Sequence, residues 1–176
     1  MSNLPWSEKY RPRTLADVKG NPHAVAQLRA WGSAWARGIP DQRGVILAGP
    51  AGCGKTSAAL ALAGEMGWEV VELNASDARS GPVIEGVALR AGLFAGFATD
   101  GTEPRTKLIL LDEADNLYER PEQSAGKAKD YSDRGGRKAV MRTLRETRQP
   151  VILTVNDLYA LTKGSGGAFR RIAQTI

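Results

Sequence analysis

Four short apolar runs punctuate the chain, at Gly44-Val45-Ile46-Leu47-Ala48, at 69–73, at 107–111 and at 150–155. Each is strand-length, and their near-continuous hydrophobicity suits strands covered on both faces. Between them the apolar positions change to helical spacing, over residues 56–64, about 83–98 and about 137–148. Upstream, Asn21-Pro22 supplies a helix N-cap with proline in the first turn, and Val25, Leu28, Trp31 and Trp35 recur on one helical face until Gly38-Ile39-Pro40. The two tryptophans could stack nucleic-acid bases, but on an otherwise apolar stripe they read as core. Strand and helix alternate, which predicts an α/β fold, a parallel sheet in a three-layer sandwich. The stretch 119–136 is rich in charge, glycine and serine and reads as an exposed loop.

The strongest chemical signal falls where the first run meets the first of these helices. Gly49-Pro50-Ala51-Gly52-Cys53-Gly54-Lys55-Thr56 is a complete G-x-x-x-x-G-K-T between strand and helix, with Ser57 following, and marks a P-loop nucleotide site. Its glycines let backbone N–H groups wrap a polyphosphate, and the helix dipole adds positive potential. Lys55 is the expected partner of the β- and γ-phosphates of ATP, and the Thr56 hydroxyl a ligand of Mg2+. The third run ends in Asp112-Glu113-Ala114-Asp115, where a carboxylate leaving a buried parallel strand reaches the phosphate loop. Asp112 is the expected second holder of the magnesium, and Glu113 the group that polarises the attacking water. Asn156 leaves the fourth run beside them and is assigned to the γ-phosphate or that water; an Asx turn closing the strand explains Asn156-Asp157 almost as well.

Composition narrows the setting. The 176 residues are 42% apolar and 24% charged, enough for one globular domain. No run approaches the ~18 consecutive apolar residues of a membrane span, and the first residues lack a signal-peptide layout, so a cytoplasmic protein with no membrane partner is expected. One cysteine and one histidine, Cys53 and His23, leave too few soft ligands for zinc, so any metal should be oxygen-bound. Cys53 is read as a small side chain fitting its loop rather than a reactive thiolate, and His23 as a polar residue of a first helical turn. The net charge of +5 and pI near 9.6 suit a polyanionic partner.

The box Pro5-Trp6-Ser7-Glu8-Lys9-Tyr10-Arg11-Pro12, followed by Leu15-Ala16-Asp17-Val18-Lys19-Gly20, resembles the amino-terminal segment of the replication factor C family of AAA+ clamp loaders. The sequences at 67–77 and 133–136 are closer to the archaeal large-subunit form of that family. The resemblance implies an AAA+ ATPase core with an arm over the adenine at residues 1–20 and the core proper from 21 to 176. It carries Tyr10, Arg11, Pro12 and Val18 to the base pocket. It implies a hetero-oligomer with small subunits that loads a sliding clamp onto primed double-stranded DNA during replication. Arg79, Arg134, Arg137 and Lys138 are its candidates for DNA phosphates.

Two departures shape these expectations. The run Gly166-Gly167-Ala168-Phe169-Arg170-Arg171-Ile172 lacks the Ser-Arg-Cys that supplies an arginine finger in the family's small subunits, so this chain is expected to donate none. Ile176 falls about where the fifth strand of such a core should begin, with lid and collar domains absent and weak activity expected of the chain alone. Two other readings compete: a nucleotide-binding scaffold without turnover, and a DEAD-type helicase suggested by Asp112-Glu113-Ala114-Asp115. The helicase reading would need a Ser-Ala-Thr motif that Leu153-Thr154-Val155-Asn156 does not supply.

Overall fold

The computed structural model describes residues 10–74, 106–116, 136–163 and 168–176. The elements are α1 (Pro22–Trp35), β1 (Gly44–Ala48), α2 (Lys55–Met66), β2 (Glu69–Asn74), β3 (Lys107–Asp112), a 3-10 turn (Ala114–Asn116), α3 (Gly136–Glu146), β4 (Val151–Val155), α4 (Leu158–Thr162), α5 (Phe169–Ile172) and β5 (Ala173–Thr175). The strands form one sheet in the order β2-β3-β4-β1-β5. Every pairing in it is parallel. The helix expected at about 83–98 lies outside the described residues, as does the loop expected at 119–136 except Gly136, which opens α3 instead.

Strand alternation sorts the core into two halves. Ile46, Ile109, Leu111, Val151, Leu153 and Val155 face Val140 and Leu144 of α3, Leu161 of α4 and Phe169 of α5. Val45, Leu47, Leu108, Leu110 and Ile152 face Leu28 and Trp31 of α1 and Ala59 and Leu62 of α2. Helices therefore cover both faces, as the continuous apolar runs require. Trp31 is buried, and its ring meets Trp35 and Trp68 edge-on, each with centroids 6.2 Å apart. The tryptophan stripe is packing, not a base platform.

The helix ends show why the elements stop where they do. Asn21, in the left-handed region at φ 34°, accepts from the Ala24 N–H at 3.1 Å and caps α1. At the C-terminal end of α3, the Arg43 guanidinium donates to the carbonyls of Arg145 at 2.7 Å and Thr147 at 2.9 Å, satisfying acceptors that no helical partner reaches. The fifth strand arrives earlier than expected: β5 pairs with β1 in the register Gly44↔Ala173 to Ile46↔Thr175. It is short and polar at Gln174 and Thr175, so it carries no apolar run.

The arm at residues 10–20 docks on the α1–α2 side. Leu15 is fully buried there, and Val18 packs on the same cluster. Its turn is closed by Asp17, whose Oδ2 accepts from the Arg13 N–H, the Thr14 N–H and the Thr14 hydroxyl at 3.0–3.1 Å. Those bonds, led by the Thr14 N–H, hold the Asp17 carboxyl below its ordinary pKa.

Candidate nucleotide site

The phosphate-loop sequence forms the turn between β1 and α2. Gly52 at φ 77° and Gly54 at φ 93° adopt left-handed backbone that other residues reach only with strain. Gly54 is the N-cap of α2 and brings no side-chain hydrogen bond to the helix end. The first N–H groups of α2 are thus available to an external acceptor, reinforced by the helix dipole. A Cβ at Gly49 would lie 3.0 Å from the Cys53 sulfur, so this part of the loop has room only for small residues.

Three chain segments converge on that loop. The Lys55 Nζ donates to the carbonyls of Gly49 at 2.8 Å and Pro50 at 2.9 Å, and to Asn156 Oδ1 at 2.9 Å. The Thr56 hydroxyl donates to Asp112 Oδ1 at 3.0 Å. Strand alternation explains the second contact: Asp112 follows Leu108 and Leu110 on the sheet face that α2 covers, and Thr56 lies in the first turn of α2. Glu113, one residue on, has φ 54°, a conformation that costs a non-glycine residue about 1 kcal/mol. Its N–H donates to the Thr154 hydroxyl at 3.1 Å. The following 3-10 turn is tied to the start of α4 by Asp115 Oδ2, which accepts from the N–H of Asp157 at 3.3 Å.

The structure thus brings together Lys55, Thr56, Asp112, Glu113 and Asn156, all chosen from sequence. Asn156 reaches Lys55 with its side chain while the next residue, Asp157, caps α4 through bonds to the N–H groups of Tyr159 and Ala160. The Asx-turn reading therefore belongs to Asp157, leaving Asn156 free for the loop. Tyr10 and Arg11 lie exposed at the start of the described arm, Pro12 is half-buried, and Val18 is packed against the core. Arg79 and Arg134 lie outside the described residues. Arg137 is the second residue of α3 and Lys138, the third, is exposed.

Sequence reading passed over two residues, one that shapes the site and one that holds the arm. Thr154 is 1% exposed, and its hydroxyl donates to Asp112 Oδ1. The signal was there: one hydroxyl in the run Val-Ile-Leu-Thr-Val, two residues before Asn156 and on the same face as Ile152. Glu65, at the other end of α2, fastens the arm. Its Oε2 accepts from the Leu15 N–H at 2.9 Å, and its carboxylate pairs with Arg29 of α1 at 2.7 and 3.2 Å. The Arg29 bond pulls the Glu65 carboxyl below its ordinary pKa against the opposing cost of burial, aided by Leu15 N–H, and Arg29 is raised in turn.

A P-loop, a strand-end acid pair and a polar residue leaving the neighbouring strand describe a nucleotide-hydrolysing core. The model of the ATPase family associated with various cellular activities (AAA) matches residues 45–175. The chain belongs to this AAA family. A Rad17 P-loop domain model also matches residues 2–86.

Among curated proteins, the AAA chain is 52% identical over 162 residues to the replication factor C large subunit of Methanosarcina mazei, covering 92% of this chain and 24% of that protein. It is 45% identical over 177 residues to that of Methanothrix thermoacetophila, covering 97% and 34%. The resemblance to large subunits seen in the sequence thus holds over almost all of the chain, which spans about a quarter to a third of those relatives. Two solved structures share the AAA fold. The Thermotoga maritima RuvB Holliday junction branch migration motor aligns with TM-score 0.63 at 16% identity, covering 95% of this chain and 47% of that one. The FIGL-1 AAA domain in complex with ADP aligns at 0.64 and 20%, covering 93% and 54%.

The donor set suits a hard cation. Thr56 and Asp112 offer oxygen only, and among the described residues no cluster of three His, Cys, Asp or Glu side chains forms an all-protein metal cage. Two protein oxygens fit Mg2+, which usually takes its remaining ligands from water and phosphate. No helix among the described residues is long and apolar enough to cross a membrane.

Proposed function

We propose that this AAA chain is the ATP-hydrolysing core of a clamp-loader large subunit, which works with small subunits to load a sliding clamp onto primed double-stranded DNA. The observation that carries the reading is the meeting of Lys55, Thr56, Asp112 and Asn156 at the end of β1, in a chain so similar to replication factor C large subunits.

The chemistry follows from what each group touches. The Lys55 ammonium rests on two neutral carbonyls and one amide oxygen, and anionic phosphate oxygens are stronger acceptors. ATP therefore draws the lysine off its own loop and onto the β- and γ-phosphates. Thr56 and Asp112 would hold Mg2+, which supplies neutralisation of the charge developing on the phosphates. Glu113 accepts from the attacking water and aims it, and Asn156, beside Lys55, hydrogen-bonds the γ-phosphate or that water. The arm brings Tyr10, Arg11, Pro12 and Val18 to the adenine. Arg79, Arg134, Arg137 and Lys138 meet DNA phosphates, contacts that carry no sequence preference and weaken with salt.

Glu113→Gln in the assembled loader tests the reading. It should keep ATP binding, lower hydrolysis at least a hundredfold, and leave the clamp on the loader. Unchanged hydrolysis and loading would point to a scaffold in which nucleotide only orders the interface.

A further inference from the structure

Asp112, which ends β3, and Glu113, which follows it, are joined through a third residue from another strand. Thr154 lies on β4 among Val151, Ile152, Leu153 and Val155, and every residue of that strand is buried. A hydroxyl there needs its hydrogen bonds made internally. It makes two, to consecutive residues of the neighbouring chain segment: it donates to Asp112 Oδ1 and accepts from the Glu113 N–H.

The direction of both bonds is fixed by chemistry. A backbone N–H can only donate, so it occupies a lone pair of the hydroxyl and leaves its proton for another partner. That partner is the Asp112 carboxylate, which accepts only. The oxygen chosen, Oδ1, is the one that also receives the Thr56 hydroxyl. Thr154 and Thr56 thus hold one carboxylate oxygen between them and set the rotation of the group. The same hydroxyl anchors the backbone of Glu113, which sits at φ 54° where a glutamate gains nothing from local sterics.

We propose that Thr154 is a positioning residue of the ATP site, its buried hydroxyl fixing both the orientation of Asp112 toward Mg2+ and the backbone from which Glu113 reaches the attacking water. This rests on the roles proposed above for Asp112 and Glu113. Thr154 acts through its two partners, Asp112 and Glu113. Groups that orient a metal-holding carboxylate commonly change metal affinity or activity by 10- to 100-fold when removed.

The test uses the chain with Thr154→Val, which keeps shape and strand preference, and Thr154→Ser, which keeps the hydroxyl. ATP affinity is measured by titration without Mg2+ and across a Mg2+ series, and hydrolysis in single turnover at saturating ATP and Mg2+. Thr154→Val should bind ATP without Mg2+ as the parent does, because the phosphate loop is untouched. It should need about tenfold more Mg2+ for half-maximal tightening. At saturating Mg2+ it should hydrolyse ATP at least tenfold slower, and Thr154→Ser should restore both.

A Thr154→Val chain with the parent's Mg2+ requirement and rate overturns the proposal. So does a Thr154→Ser chain as impaired as the valine form, which would make the effect one of packing. Should the valine form not fold, failure of the serine chain to retain the parent's Mg2+ requirement overturns it equally. Asp112→Asn separates this failure from that of the site itself: if it too leaves the Mg2+ requirement unchanged, Asp112 has no metal role and the proposal falls with it.

Discussion

Lys55 and Asn156, 101 positions apart in sequence, are joined by a hydrogen bond of 2.9 Å from the ammonium to the amide oxygen. Because Lys55 keeps two loop carbonyls as further partners, Asn156→Ala should leave ATP affinity within a few-fold. Single-turnover hydrolysis should fall about a hundredfold, the usual effect of removing one preorganised polar group from such a site. Asn156→Asp should behave differently. A carboxylate there forms an ion pair with Lys55 that competes with phosphate, so ATP affinity itself should weaken about tenfold, about 1.4 kcal/mol. Equal affinity in the two variants, measured by titration, would contradict the lysine's move onto phosphate.

Much of this site was readable because its parts sit at strand ends, where runs of apolar residues stop at polar ones. Asp112 ends β3 and Asn156 directly follows β4, and the sheet order sets β4 between β3 and β1, so both lie beside the loop that leaves β1. Thr154 was missed because it lies inside the run, where a hydroxyl looks like a tolerated neighbour of valine. Glu65 was missed for a different reason. Its partners Leu15 and Arg29 are 50 and 36 positions away, and only the packing of α1 and the arm on α2 brings them together. The early start of β5 was illegible because three residues with one buried side chain carry no periodicity.

Glu65→Gln should loosen the arm. It removes the charge that pairs with Arg29 and weakens the acceptor of the Leu15 N–H. Partial exposure screens the pair, so the loss should be about 1 kcal/mol rather than the larger value of a buried one. Thermal unfolding would read the loss, and faster trypsin cleavage after Arg13 its location. Cleavage at the parent's rate would mean that Leu15 burial alone holds the arm.

The same contact gives a pH dependence with a definite sign. The folded Glu65 carboxyl lies below its ordinary value, so the unfolded chain takes up the proton first as pH falls. The stabilisation is complete above about pH 4.3, the ordinary glutamate value. It is lost as pH falls from there through the lower folded value. Arg29, raised from an already high value, stays charged throughout and adds nothing in this window. Hydrogen-exchange protection of the Leu15 amide should therefore hold from neutrality to about pH 5 and drop below the ordinary glutamate value. In Glu65→Gln this drop should be absent; a drop of the same size would assign it to another carboxyl.

Gly64→Ala sets helix propensity against the arm. In an exposed helical position, alanine ordinarily stabilises by about 0.5–1 kcal/mol over glycine. Here the added Cβ would run into the Arg13 carbonyl oxygen, a backbone atom held by the turn that Asp17 closes. Moving it disturbs the Leu15 contact, and the clash should win. The expected outcome is a lower melting temperature for Gly64→Ala in the intact chain and a higher one in a chain beginning at Lys19. The same sign in both chains would refute the coupling of arm and helix.

Arg170 tests whether, in the proposed loader, this chain contributes to a neighbour's site. Arg170 and Arg171 are exposed in the last turn of α5, a helix of four residues anchored by the buried Phe169. Two cations at a helix C-terminus have a local reason to be there, since they complement its dipole. A transition-state arginine should cost about 10³-fold or more in turnover when removed. Loss of a dipole complement costs only about 0.3–1 kcal/mol of stability. Arg170→Ala in the assembled loader should therefore leave ATP turnover within about twofold and lower the melting temperature slightly, consistent with the local role. A turnover loss of two orders of magnitude, with unchanged melting, would make Arg170 a finger.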